Sequence, residues 1–150
     1  MTTRKWLMAF VPVAMVLSAI AARAQWVMVA RAVTGRIQQI MTKPSTGTGF
    51  DVATVVLEAD ADRVYATAVS SLQSHTEITI TDKNAKKREV RFAKGGQVAS
   101  LQAIPLGDRL TQLVIASNLT EAQPSPTSLV VQGVLKVCTD MHVRCTLQQN

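Results

Sequence analysis

Apolar and polar residues alternate along most of the stretch from Glu77 to Ser117, the period-two signature of strands with one buried face. Turn residues divide that stretch. Gly95-Gly96 reads as a two-residue hairpin loop, because both positions accept positive φ without strain. Gly107-Asp108 marks a second turn and Asp82–Lys87 a longer polar one, so four antiparallel strands in a meander are expected. A loop at Gly95-Gly96 sets Lys94 opposite Gln97, Phe92 opposite Ala99 and Val90 opposite Leu101. Val90, Phe92, Ala99, Leu101 and Ala103 then share one face, with Arg91, Ser100 and Gln102 on the other. At the next turn, a two-residue loop at Gly107-Asp108 puts Gln112 on the apolar face, and a three-residue loop puts Leu113 and Ile115 there. Burial favours the longer loop. Pro105 has no N–H for a ladder and belongs at a strand end or an edge.

The flanking segments read differently. Ala30, Val33, Ile37, Ile40 and Met41 fit helical spacing, and Gly35 weakens such a helix by about 1 kcal/mol relative to Ala. The alternative is a strand hairpinned through the Lys43–Gly49 loop onto the segment beginning at Phe50; the spacing favours the helix. Asp51 to Glu58 reads as a strand with apolar residues on both faces, and hence a central one. Asp60 suits an N-cap and Asp62 a first turn, followed by the stripe Ala61, Val64, Tyr65, Ala68 and Leu72. After the polar linker Thr120–Pro126, Ser125-Pro126 has the form of a helix start, and Val131, Val134, Cys138 and Met141 make an apolar face. The expected fold is α+β: an antiparallel meander sheet of four to five strands with two helices packed on one face.

A length of 150 residues suits one domain, and 47% apolar residues exclude general disorder. The N-terminus changes the picture of charge. Arg4-Lys5, the apolar run Trp6–Ala22 and the small-x-small site Ala22-Arg23-Ala24 read as a secretory signal peptide, residues 1–24, cleaved before Gln25. Its removal takes three of the 16 basic residues and none of the 10 acidic ones, leaving a net charge of +3. An exported chain of such modest charge is a poor nucleic-acid binder. The expected organisation is then an N-terminal segment and flexible loop at 25–49, one domain at 50–145 and a tail at 146–150, with no membrane span after cleavage. The location is periplasmic or secreted.

The runs ATVVLEADADRVYATAVSSLQ, FAKGGQVASLQAIPLGDRLTQLVIAS and VLKVCTDMHVRC together resemble an uncharacterised family of small exported bacterial proteins, over about Phe50 to Cys145. The resemblance implies export and fold and carries no activity. Related families attach lipid at a Cys after the signal, and this chain has none there. The order strand, helix, meander, long C-terminal helix also resembles a shortened helix-grip fold, in which the last helix closes a cavity.

Chemical motifs are sparse. His75 and His142 lack the spacing of a metal pair, no GxSxG occurs, and GTGF at 47–50 lacks the Lys of a phosphate loop. No cofactor and no enzyme are expected. Lys83, Lys86, Lys87, Arg88, Arg91 and Lys94 cluster near the first hairpin, either as a patch for an anionic envelope surface or as an ordinary solvated hairpin. Cys138 and Cys145 are the only cysteines, and export makes a disulfide the default. An unbroken helix would hold their Cα atoms about 10 Å apart, beyond the about 7 Å a disulfide tolerates. A bridge therefore needs the helix to end near Asp140–His142, with Val143 anchoring the returning tail; otherwise the thiols stay free.

These features favour a non-catalytic exported envelope module that acts on another envelope protein or an anionic surface. The alternative is a small periplasmic carrier of amphiphilic or lipid-like ligands. Core volume separates them, since side chains such as Phe92, Leu101 and Ile115 are expected to fill a domain this small. N-terminal sequencing of the exported protein is expected to begin at Gln25; Met1 retained in a membrane pellet would refute the signal reading.

Overall fold

The alternating segments fold as strands of one mixed sheet. The computed structural model describes residues 34–42, 49–119 and 128–148. In chain order the elements are β1 (Arg36–Thr42), β2 (Gly49–Leu57), α1 (Ala61–Gln73), β3 (Ile78–Asn84), β4 (Glu89–Lys94), β5 (Gln97–Gly107), β6 (Leu110–Leu119), α2 (Leu129–Asp140) and β7 (Thr146–Leu147). The sheet runs β3-β4-β5-β6-β2-β1-β7. Its pairings are antiparallel except β1 with β7, which is parallel. The expected α+β class therefore holds, but the sheet has seven strands and is mixed, not four to five and antiparallel. The surplus lies at β1 and β7, on either side of the expected 50–145 span.

The first hairpin has the register read from the sequence: Lys94 opposite Gln97, Phe92 opposite Ala99 and Val90 opposite Leu101. Gly95 and Gly96 close it with φ of 56° and 82°, values that a side chain would strain. The second hairpin reaches the expected face by another route. Gly107 pairs with Leu110 around a two-residue turn, and a bulge between Pro105 and Gly107 shifts the register by one. Leu101 then meets Ile115 and Ala103 meets Leu113. Burial fixes which face turns inward; the bulge, and not a longer loop, achieves it.

One sheet face is covered by both helices. Ala53, Val55, Leu57, Val90, Phe92, Leu101, Leu113 and Ile115 are buried there with Val64 and Ala68 of α1 and Val130, Val134 and Val137 of α2. Asp60 caps α1, its Oδ1 accepting from the N–H groups of Asp62 (2.9 Å) and Arg63 (3.2 Å). The second helix starts at Leu129 under an N-cap from Ser128, not at Ser125-Pro126, which lies outside the described residues. The Ser128 hydroxyl accepts from Val131 N–H and donates to the buried Asp51 carboxylate, which also accepts from Gln39 Nε2 at 2.9 Å. A cap read from local sequence loses here to one that also satisfies a carboxylate buried in β2.

Residues 36–42 are strand, correcting the helical reading. Ile37 is the buried residue of β1, and Gly35 before it has φ of 74°, which no helix interior accommodates. Residues 1–24, read from the sequence as a signal peptide, the stretch 25–33, the loop at 43–48 and the linker 120–126 lie outside the described residues.

The C-terminus turns back as a bridge would require. His142 N–H donates to Thr139 O (3.0 Å) and Val143 N–H to Cys138 O (2.9 Å), the paired bonds of a Schellman ending, with His142 in the left-handed position at φ 58°. Val143 packs against the core. The Sγ atoms of Cys138 and Cys145 come to bonding distance with their Cα atoms 6.1 Å apart, and Thr146 and Gln148 then donate to Gly35 O and Ile37 O of β1 at 2.9 Å each. The tail passes so close to Gly35 that a Cβ there would meet Arg144 O at 2.6 Å. Backbone cannot retreat as a side chain can. Gly35→Ala is therefore expected to cost about 1–2 kcal/mol or more, with faster amide exchange at Thr146 and Gln148. Wild-type stability and protection in that variant would contradict this docking.

Candidate ligand-binding cavity

The helices do not close completely on the sheet. Between α1, α2 and strands β3–β6 lies a cavity of about 240 Å³. Its floor is Phe92, Leu101 and Ile115, on three neighbouring strands, with Leu101 paired directly to Ile115. Ala68, Ser71 and Leu72 of α1 form one wall, and Leu129, Gly133 and Val137 of α2 the other. Both sets follow the three- and four-residue spacing of a single helix face. Ala68 and Gly133 are small where the helices face the floor, and a Cβ on Gly133 would stand 2.9 Å from the Ile115 Cδ1 atom. An apolar cavity of about 150 Å³ already admits benzene, so this one has room for a ring or a modest alkyl chain.

The mouth is polar. His75, Gln132 and Lys136 are exposed and Lys94 is half-buried, whereas Leu101, Ile115 and Ala68 are buried. Lys94 Nζ pairs with Glu77 Oε2 at 3.2 Å and Lys136 Nζ with Asp140 Oδ1 at 2.5 Å. The Lys136 hydrogen bond, then that of Ser71, holds the Asp140 carboxyl below the ordinary aspartate range. Asp140 therefore stays anionic at neutral pH and keeps Lys136 at the rim.

The residues singled out in the sequence scatter. His75 reaches the mouth; His142 occupies the helix ending. Arg88 is drawn to α1, its Nε 2.6 Å from Asp62 Oδ1, and that bond holds the Asp62 carboxyl below its usual range. Arg91 points with Ser100 to the uncovered sheet face and pairs with Glu89, while Lys83, Lys86 and Lys87 are exposed along β3 and the following turn. The six cations do not share one surface, and Lys94 alone among them reaches the cavity. Cys138 and Cys145 sit with the tail and do not line it. No cluster of three metal-ligating side chains occurs among the described residues. None of their helices is long and apolar enough to cross a membrane. Leu129, Gln132, Gly133 and Lys136 went unmarked in the sequence. Their shared spacing was the available signal, but mixed chemistry along it hid the stripe.

No family model and no curated protein matches the chain. Among solved structures it is similar to EF2215 from Enterococcus faecalis, a conserved protein of unknown function, with TM-score 0.54 and 12% identity over 71% of this chain and 77% of that one. CalU16 from Micromonospora echinospora gives TM-score 0.47 at 12% identity, covering 71% of this chain and 83% of that one. The Zhui aromatase/cyclase from Streptomyces sp. R1128 gives 0.37 at 12%, covering 71% and 85%. At such identity the likeness to EF2215 is one of fold alone. The expectation that this chain is not an enzyme is withdrawn, because it rested only on motifs that are absent from the sequence. Missing motifs exclude only the mechanisms those motifs encode, and no activity passes from the matched structures to this chain.

The void makes an unusual substitution tolerable. Gly133→Ala gains about 1 kcal/mol of helix propensity, and the Ile115 methyl it displaces borders empty space. The denaturation midpoint is expected to equal or exceed wild type. A loss above about 1 kcal/mol would show that the site has no room to give.

Proposed function

We propose that this chain is an exported envelope protein that binds a small amphiphilic molecule between its helices and its sheet. The observation that carries this reading is the cavity of about 240 Å³ with an apolar floor and a polar mouth. Phe92, Leu101 and Ile115, expected to fill the core, border the void instead. A concave apolar floor with a few polar groups at its mouth is the form that small-molecule sites take.

Against the interaction-module reading, Arg88, Arg91 and Lys94 of the basic cluster are each paired with an acid, Asp62, Glu89 and Glu77. Export rests on Arg4-Lys5, the apolar run and the Ala22-Arg23-Ala24 site, with the close approach of Cys138 and Cys145 in accord with an oxidising compartment.

The test uses the neutral fluorophore N-phenyl-1-naphthylamine. Saturable binding at one site is expected, weakened about tenfold or more when Ala68→Leu fills the wall or Gln132→Trp covers the mouth. Gln132 is exposed, so its variant keeps the fold even where Ala68→Leu disturbs packing. Absent binding, or binding indifferent to both substitutions, would contradict the proposal.

A further inference from the structure

The polar groups lining the cavity are Ser71, His75, Lys94, Gln132 and Lys136. Each can donate a hydrogen bond and none is a carboxylate. Glu77 and Asp140, which pair with the two lysines, do not themselves line the space. Lys94 approaches from the end of β4 and Lys136 from the last turns of α2, so the mouth is bracketed by ammonium groups from sheet and helix. Behind them the lining is apolar: Phe92, Leu101, Ile115, Leu129 and Val137.

Resting on the carrier reading, we infer that the ligand is an anionic amphiphile, its carboxylate held between Lys94 and Lys136 and its alkyl chain or ring on the Phe92–Leu101–Ile115 floor. The existing ion pairs do not prevent this. A lysine ammonium has three donors, and each pair occupies one contact with its acid. The side chain of Glu77 is 74% exposed, and exposed pairs of that kind contribute little. A carboxylate at the mouth therefore joins Lys94 in place of or beside Glu77 and takes a second ammonium donor of Lys136, whose pair with Asp140 stays in place. The same mouth disfavours a cationic head, which would meet two ammonium groups whose acids, Glu77 and Asp140, are already engaged and do not line the space.

Isothermal titration of the protein with octanoate, 1-octanol and octylammonium separates the outcomes, because the three share one chain and differ in head group. Octanoate is expected to bind about tenfold tighter than octanol, with octylammonium weakest and the preference falling as salt rises. In Lys94→Gln/Lys136→Gln the ratio of octanoate to octanol affinity is expected to fall toward one. Lys86→Gln/Lys87→Gln, which changes net charge equally away from the cavity, is expected to keep it. Octanol or octylammonium binding as tightly as octanoate would overturn the anionic head while leaving the cavity reading in place. So would a preference that survives in Lys94→Gln/Lys136→Gln or disappears in Lys86→Gln/Lys87→Gln. Failure of all three compounds to bind would overturn both.

Discussion

The placement of α2 over the sheet is the constraint on which the rest of this structure depends. Its two ends are tied to different strands. At the N-terminus, Ser128 caps the helix and donates to Asp51 of β2, a carboxylate buried to 1% exposure that would be costly to leave unpartnered. At the C-terminus, the turn at His142, the approach of Cys145 to Cys138 and the pairing of β7 with β1 hold the other end. A helix fixed at both ends cannot settle onto the sheet to close a gap beneath its middle. Gly133 lies in that middle, with α1 turning Ala68 toward the same space. The cavity results from anchored ends and small residues between them.

The sequence made some of this plain, and the difference is physical. Helix α1 was legible because its cap and stripe are local: Asp60 bonds two residues within its own first turn, and Val64, Tyr65 and Ala68 recur at helical spacing. The first hairpin was legible because two glycines fix its loop and hence its register. Strand β1 was not. Near the edge of the sheet only Ile37 is buried, so Ile40 and Met41 stay exposed and the alternation that marks a strand is missing. The start of α2 was misplaced because the deciding partner of Ser128 is Asp51, 77 residues away. The bulge at Leu106 left no trace except a neighbouring proline. The cavity was invisible for a related reason: a void is a property of the spacing between elements, while residue patterns report only which side faces in.

The uncovered face of the sheet bears on how the site is read. Val52, Thr54 and Val56 of β2 and Gln112, Val114 and Ala116 of β6 lie there half-buried. It is a mixed surface whose depression beside Arg91, Ser100 and Ala116 lies wide open, whereas the helix-covered face combines partial enclosure, apolar floor and donor-lined mouth. Recognition of a small molecule needs those three together: burial for affinity, a few placed polar groups for orientation. Attraction at the mouth is local, set by Lys94 and Lys136, because screening limits the reach of exposed charges to about a Debye length.

Methyl-resolved NMR of the protein during titration with octanoate tests the central claim most directly. If the ligand enters between helices and sheet, the methyl signals of Leu72, Leu101, Ile115, Leu129 and Val137 shift together and saturate on one curve, while those of Val52, Val56 and Val114 on the opposite face stay in place. Shifts confined to the opposite face, or spread without saturation over both, would contradict a ligand chamber beneath α2.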